Sequence, residues 1–204
     1  MLFAPQRLVA MILGASFAAG LNVYATVATL GLLAHFDLLM LPEPLHLLAS
    51  WWVIGPALAL FLVEFFADKV PLFDLLWNAL HTFVRVPVAG VLAWQAAQQL
   101  SPIEQLVTVL LACLIAFLAH GGKLAVRTAV THSPEPVSNI ALSLGEDALA
   151  IGLTWAATQH PYIAAAVALV LAVLAVLAIR LIWRVLKKVF RGTRDFLFPE
   201  PERA

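Results

Sequence analysis

The sequence predicts an all-α, polytopic membrane protein of about six transmembrane helices, built as two inverted three-helix repeats. Three observations predict this fold: a very apolar composition, six long apolar runs separated by short breaks, and a partial likeness between the two halves. Of the 204 residues, 63% are hydrophobic and only 12% are charged, and the mean hydropathy is +0.96. A soluble domain has about 45–50% apolar and about 25% charged residues, so this chain is too apolar for water.

Each of the six apolar runs fits one membrane crossing. A transmembrane helix needs about 20 apolar residues, so six of them use nearly the whole chain. Prolines stand at or near the breaks, where a missing N–H is best tolerated. The first run stays apolar for too long to be a cleaved signal peptide, so we expect it to remain as a helix. The predicted helices cover 8–33, 46–67, 71–97, 103–130, 138–158 and 161–190.

These helices predict a single transmembrane domain over 1–194, followed by a cytoplasmic tail over 195–204. Lys and Arg set its orientation, because cytoplasmic segments are enriched in both. With the N-terminus and the C-terminus both cytoplasmic, the inner side collects Arg7, Lys69 and the basic end of the chain, and the three outer connections contain no Lys or Arg. The basic end either anchors the last helix at the membrane surface or recruits anionic lipid.

The two halves of the chain resemble each other. Pro-Glu-Pro occurs at 42–44 and again at 134–136, each time after a long first helix. We therefore predict repeat one over about 8–97 and repeat two over about 103–190. Because each repeat has three helices, the second enters the membrane inverted, as in many secondary transporters whose sites lie between the halves.

Ionisable residues recur inside the predicted helices, where each charged side chain costs at least about 2.5–3.5 kcal/mol and so needs a reason. On the third helix, Asp74, Asn78, His81 and Arg85 follow helical spacing and form one polar stripe. The other helices carry complementary groups, which are Glu64 and Asp68 on the second, His120, Lys123 and Arg127 on the fourth, and Asn139, Ser143, Glu146 and Asp147 on the fifth. Acids and bases are nearly balanced in number, as a paired buried network requires.

This network leads to a functional hypothesis: a small transporter or permeation protein with a buried charged pathway for a proton or cation, or for an anionic solute. The predicted centre of the pathway is Glu146, Asp147, Arg85 and Lys123, supported by Asp74, His81, Arg127 and Glu64. In the competing hypothesis the charges only lock the two halves together, and the protein is a non-transporting membrane scaffold or assembly factor.

No motif indicates enzyme chemistry or a bound cofactor. The sequence contains no Gly-x-Ser-x-Gly, no His-Glu-x-x-His and no phosphate-binding glycine loop. The acids and His81 could offer ligands to a metal ion, but their spacing is not that of a metal site. We therefore predict no catalytic residues, no cofactor and no metal. The expected partners are the lipid bilayer, a small ion or anionic solute, and a second copy of the chain in a homodimer, with no nucleic acid.

Two clusters of these residues resemble a known family. The clusters are Glu64, Asp68-Lys69, Pro71, Asp74, His81 and Arg85-Val86-Pro87, and then Lys123, Arg127, Ser133-Pro134, Pro136, Asn139, Ser143 and Glu146-Asp147. Together they resemble the signature of an uncharacterised bacterial integral-membrane family, the domain of unknown function 4126, over nearly the whole chain except the basic end. Asn22 stands where that pattern leads us to expect a basic residue. The resemblance implies a multi-pass protein of the bacterial inner membrane and brings no known activity.

A fainter similarity is to small cation exchangers with three-plus-three repeats and an acidic Glu-x-Gly-Asp-Lys motif. Here Glu64 and Asp68-Lys69 are one residue too far apart, and the glycine is missing. Thr154 and Thr158 stand where the second repeat would need acids. These departures leave the substrate open.

Overall fold

The computed structural model describes residues 4–130 and 136–197, without the side chains of 71, 72, 74, 75, 136–139 and 189–197. The described chain is helical with short connections and contains no strand. Its α-helices are α1 (Pro5–Leu21), α2 (Val23–His35), α3 (Trp51–Ala67), α4 (Pro71–Ala96), α5 (Pro102–Val130), α6 (Pro136–Gln159) and α7 (Pro161–Leu197). Two 3₁₀ segments, Glu43–Ala49 and Ala97–Gln99, precede α3 and follow α4.

Four helices of the described chain are long and apolar enough to cross a membrane, and they lie in α4, α5, α6 and α7. A fifth crossing results when Glu43–Ala49 and α3, which are bent by 61° at their junction, are counted together. The prediction of an all-α protein with several membrane helices is therefore confirmed, at four to five candidate crossings. The predicted bounds of the third, fourth and fifth helices agree with α4, α5 and α6 to within one or two residues.

The first predicted helix, over 8–33, is wrong as a single helix, because Asn22 divides it. The backbone of Asn22 is extended (φ −150°, ψ 102°), and its side-chain oxygen accepts the N–H of Ala25 at 2.9 Å. Asparagine is a favoured N-cap, so it begins a new helix, α2, and ends α1. At about 1.5 Å per residue, α1 is about 25 Å long and α2 about 20 Å, so neither crosses a hydrocarbon core of about 30 Å.

α1 runs antiparallel to α6. Asn22, at the end of α1, donates from its side-chain amide to Asp147 of α6 at 2.9 Å. Gly14, two turns earlier in α1, lies beside Ala157, later in α6: a Cβ added to Gly14 would be 3.1 Å from the Ala157 Cβ. Residue numbers therefore rise in opposite directions along the two helices.

α2, in contrast, runs parallel to α6 and so folds back along α1. Thr26, one turn beyond Asn22, lies beside Thr154 of α6, with their hydroxyl oxygens 3.4 Å apart. Leu30 of α2 and Met11 of α1 line the same cavity, which a continuous helix would not allow. α1, Asn22 and α2 thus form a helical hairpin with Asn22 at its tip, called the hairpin below.

The hairpin puts the start of α1 and the basic end of α7 on opposite sides of the bundle. Arg7 lines a surface cleft with Gln159 and His160, which connect α6 to α7. α7 begins at that side and runs through the bundle to its basic end at the other side. The prediction that both termini are cytoplasmic assumed a single helix over 8–33, and it stays a prediction.

Burial in this bundle is inverted relative to a soluble protein. Glu64 and Arg85 are 0% exposed, whereas Trp52 is 90% exposed and Phe83 is 80% exposed. Apolar side chains that face outward fit a lipid surround, and charged groups inside a membrane protein face the bundle interior. The fold is that of a multi-pass membrane protein.

Small residues let the neighbouring helices approach closely. A Cβ added to Gly20 would lie 2.4 Å from the backbone oxygen of Ala116 in α5. One added to Gly122 of α5 would lie 2.6 Å from the Cβ of Ala175 in α7. Such contacts are the usual basis of helix association in membranes. They fix α1 among α4, α5, α6 and α7 and so fix the position of the hairpin tip.

Some predicted features lie outside the described residues. These are the side chains of Asp74 and Asn139, Ser133 and most of the second Pro-Glu-Pro, and the basic side chains beyond Lys188 together with 198–204.

Candidate functional site

Charged side chains from α3, α4, α5 and α6 meet beside the hairpin tip. Glu64 and Asp68 lie one turn apart at the end of α3, and Lys123 and Arg127 lie one turn apart on α5. Residues spaced by four share one face of a helix, so two carboxylates face two cations. Arg85 and Glu146 complete a group that we call the charge cluster, comprising Glu64, Asp68, Arg85, Lys123, Arg127 and Glu146.

Lys123 is the centre of the charge cluster. Its Nζ lies 3.0 Å from Asp68 Oδ2, 3.3 Å from Glu146 Oε2 and 3.4 Å from Glu64 Oε1. The same ammonium donates to the backbone oxygen of Leu21, the last residue of α1, at 3.3 Å. Because the C-terminal end of a helix carries partial negative charge, this contact fixes the first half of the hairpin against the cluster.

Two arginines flank this centre. Arg127 Nη2 lies 2.8 Å from Asp68 Oδ2 and 2.5 Å from Glu146 Oε2, and Arg127 Nε donates to the same Glu146 carboxylate. Arg85 Nη2 lies 2.5 Å from Glu64 Oε1. The Glu146 side chain is 11% exposed, and those of its five cluster partners are 0–2% exposed. Three acids and three bases thus neutralise each other, as burial demands.

Asp147 lies beside the charge cluster but outside its ion pairs. Its Oδ1 accepts from the Asn22 side chain at 2.9 Å, whereas its buried Oδ2 has no hydrogen-bond partner among the described residues. No cationic side chain in the described part of the chain forms an ion pair with it. A buried carboxylate in this position favours the binding of a proton or a cation.

His120 extends the charge cluster toward α4. Arg85 Nη1 donates to His120 Nδ1 at 2.9 Å, because a guanidinium can only donate. His120 is therefore neutral, with its proton on Nε2, which donates to Thr82 Oγ1 at 2.7 Å.

His81 belongs to a different contact. Its Nδ1–H donates to the backbone oxygen of Trp77 at 2.7 Å, so in the neutral ring Nε2 accepts from the hydroxyl of Tyr24 at 2.9 Å. The His81 ring also stacks on Trp77, with centroids 4.3 Å apart. His81 thus joins α4 to α2.

The structure brings most of the predicted site together. Glu146, Arg85, Lys123, Arg127 and Glu64 lie in one network, and Asp147 is adjacent to it. His81 lies apart, and the Asp74 side chain is outside the described residues. The predicted site omitted three contributors, Asp68, His120 and Asn22.

Sequence signals for these three differ in strength. Asp68 follows Glu64 by one turn and His120 shares a face with Lys123, so both could have been included. Asn22 is a single polar residue in a long apolar run, and its role depends on a contact with a distant helix.

A cavity of about 230 Å³ reaches the charge cluster from the side of the bundle. Its walls are apolar residues of α1, α5, α6 and α7, and its charged lining residues are Lys123 and Glu146. A separate cavity of about 40 Å³ lies between the hairpin and α4 and is lined by apolar side chains and Ser16. Among the described residues, no group of three or more His, Cys, Asp or Glu side chains is arranged to hold a metal ion.

The fold and this site define an all-helical, multi-pass membrane protein whose interior holds a mutually paired charge cluster. The chain belongs to a family of unknown function: residues 9–181 match the family described as Domain of unknown function (DUF4126). The match includes every member of the charge cluster and confirms the resemblance seen in the sequence. Neither a search of curated proteins nor a search of solved structures gives a match.

Proposed function

We propose that the protein is a small transporter or permeation protein of the bacterial inner membrane, which carries a proton or a cation along a buried charged pathway. Asp147 is the carboxylate that binds the transported charge, and the charge cluster forms the wall of the pathway beside it. Ionisable residues inside membrane helices commonly mark ion pathways and proton relays.

The observation that carries the proposal is the position of Asp147 at the tip of the hairpin. Helices interrupted inside a membrane protein present their ends to substrates and coupling ions, and non-helical backbone is tolerated there only within protein or beside a water-filled cavity. Asn22 ends one helix, begins the next and contacts the unpaired carboxylate. A buried acid with this environment is a poor choice for structural support alone.

The charge cluster favours a positive substrate over the anionic solute. Arg85, Lys123 and Arg127 each contact carboxylates already. An anion would have to displace those carboxylates, whereas a proton or cation meets the additional negative charge of Asp147.

We propose a topology with the basic end of α7 in the cytoplasm, because cytoplasmic segments are enriched in Lys and Arg. Lys69 then lies on the same side, the N-terminus lies outside, and five helices cross the membrane while the hairpin enters and returns. α2 runs opposite to α5, α3 to α6 and α4 to α7, so an inverted repeat that begins at α2 is compatible with these directions.

A membrane scaffold or assembly factor is the second candidate. The charge cluster favours this second candidate, because its acids and bases form ion pairs with each other and would hold the helices together. The two candidates predict different behaviour of the purified protein in a bilayer without other proteins. A transporter moves ions across that bilayer, whereas a scaffold does not.

Flux in proteoliposomes tests the proposal. Wild-type protein is reconstituted, and outward gradients of H⁺, Na⁺, K⁺ and phosphate are imposed in turn. Each flux is followed with a readout specific for that ion, which is a pH-sensitive dye inside the vesicles for H⁺. We expect a cation or proton flux that Asp147→Asn abolishes, since the amide cannot carry the charge. Glu104→Gln, an exposed change at the start of α5, is the matched control and should behave as wild type.

Two results contradict the proposal. Equal flux in wild type and Asp147→Asn would remove Asp147 from the pathway. No flux of any tested ion through folded wild-type protein would favour the scaffold.

A further inference from the structure

We infer that Asp147 and Ser143 of α6 form a binding site for a monovalent metal cation, Na⁺, beside the hairpin tip. This inference rests on the proposed function and deepens it, because it names the transported or coupling ion. The proposed site binds a metal ion through several oxygen ligands, rather than a proton alone.

Two buried oxygens on one face of α6 carry the inference. Ser143 is 0% exposed and Asp147 is 4% exposed. Ser143 Oγ and Asp147 Oδ2 both lack a hydrogen-bond partner among the described residues. Side chains four residues apart on a helix are neighbours, with Cβ atoms about 5–6 Å apart, so one small ion can reach both.

The free hydroxyl of Ser143 is the informative part of this pair. A serine or threonine inside a helix commonly donates back to the carbonyl one turn earlier. Thr154 does so on the same helix, donating to the Ala150 oxygen at 2.7 Å. Ser143 Oγ makes no such bond, so its lone pairs and its proton remain available to a ligand.

The surrounding charges favour a single positive charge. The charge cluster is balanced, and Asp147 adds one negative charge beside it. Asp68 and Glu64 are near enough to strengthen the attraction for a cation, and Lys123 and Lys69 oppose it. A monovalent ion neutralises Asp147, whereas a divalent ion would leave an excess of positive charge.

The proposed site lies beside the hairpin tip, because Asn22 contacts Asp147 at 2.9 Å. Hard cations take oxygen ligands from carboxylates, hydroxyls and backbone carbonyls. The C-terminal end of an interrupted helix, here α1, offers carbonyls of this kind in transporters. Asn22 meanwhile holds Asp147 Oδ1, which leaves Oδ2 for the ion.

Binding of ²²Na⁺ to the purified, full-length protein tests the inference. The assay runs in choline chloride at constant ionic strength, with unlabelled Na⁺ and K⁺ as competitors. We expect saturable binding that unlabelled Na⁺ displaces. Ser143→Ala should weaken it at least about tenfold, and Asp147→Asn should abolish it.

Two further variants control for effects on packing and for the loss of a buried serine elsewhere. Ser143→Cys is nearly isosteric, so it preserves the packing of α6, but a thiol is a poor ligand for a hard cation and should weaken binding like the alanine. Ser16→Ala removes another buried serine, which lines the cavity between the hairpin and α4, and should leave binding unchanged. Size-exclusion profiles and thermal unfolding confirm that each variant is folded.

The outcomes separate this inference from the proposed function. No ²²Na⁺ binding by wild type, or equal binding in wild type and both Ser143 variants, overturns the sodium site. If proton flux still depends on Asp147 in that case, the proposed function stands with the proton as substrate. Binding that requires Ser143 and Asp147, in a protein that shows no flux, upholds the site and overturns transport.

Discussion

The side-chain amide of Asn22 donates to the carboxylate of Asp147 at 2.9 Å, across 125 positions of sequence. The same side chain caps α2 through its oxygen, so one residue both ends the first half of the hairpin and contacts the central acid of the site. The geometry of the tip and the environment of the acid are therefore coupled.

Substitutions at Asn22 should separate these two roles. Asn22→Ser keeps an oxygen for the cap and loses the amide donor, so we expect the free energy of unfolding to fall by about 1–3 kcal/mol from the unsatisfied carboxylate. Asn22→Ala loses the cap as well, for about 1 kcal/mol more. Denaturant unfolding in detergent micelles measures both. Equal stability of the two variants would show that the cap contributes nothing.

Gly20 should not tolerate a side chain. An alanine Cβ there would lie 2.4 Å from the Ala116 backbone oxygen, which cannot move without shifting α5. We expect Gly20→Ala to lower the unfolding free energy by about 1–3 kcal/mol. Gly152→Ala is the matched control, because nothing lies within 4 Å of its added Cβ. It should be neutral or raise stability by up to about 1 kcal/mol.

Glu64 and Arg85 should show strong energetic coupling. Either Glu64→Gln or Arg85→Met alone leaves a buried charge without its closest partner, which costs about 3–5 kcal/mol. The double variant should lose less than the sum of the two. Unfolding of all four proteins in one detergent gives the coupling energy, with the exposed Arg180→Gln expected to change stability by no more than about 0.5 kcal/mol. Additive losses would mean that the pair does not form.

Cysteine labelling should place the two chain ends on opposite sides of the membrane. In a background where Cys113 is replaced by alanine, Gln6→Cys and Ser101→Cys should react with an impermeant thiol reagent from outside. Lys188→Cys should react only after permeabilisation. All three positions are exposed in the bundle. If the impermeant reagent failed to label both Gln6→Cys and Lys188→Cys before permeabilisation, the two positions would lie on the same side. The segment 8–33 would then cross the membrane once.

The convergence of charges was predictable because its signals are local. Glu64 and Asp68, like Lys123 and Arg127, are four residues apart, and helical geometry alone puts each pair on one face. Burial in an apolar bundle then requires acids to meet bases. Helical spacing did not predict the contact of His81 correctly. His81 belongs to the same stripe as Arg85, yet it contacts Tyr24 of α2, because the spacing does not specify which neighbouring helix a residue meets.

The hairpin was not predictable for the opposite reason. A run of apolar residues from 8 to 33 has the length and hydropathy of one crossing, and Asn22 is its single strong polar signal. What turns the chain back is the set of contacts at the tip, with Lys123 on Leu21 and with Asp147 on Asn22. Both partners come from the second half of the chain, so no window of local sequence contains the information.

The hairpin also has a consequence for the order in which the helices assemble. Its residues are synthesised before the groups that contact its tip, Lys123 and Asp147, which follow about a hundred residues later along the chain. Neither α1 nor α2 is long enough to be held by lipid as an independent span. We therefore expect the hairpin to take its final position only after α5 and α6 have been inserted, although it precedes both of them in the chain.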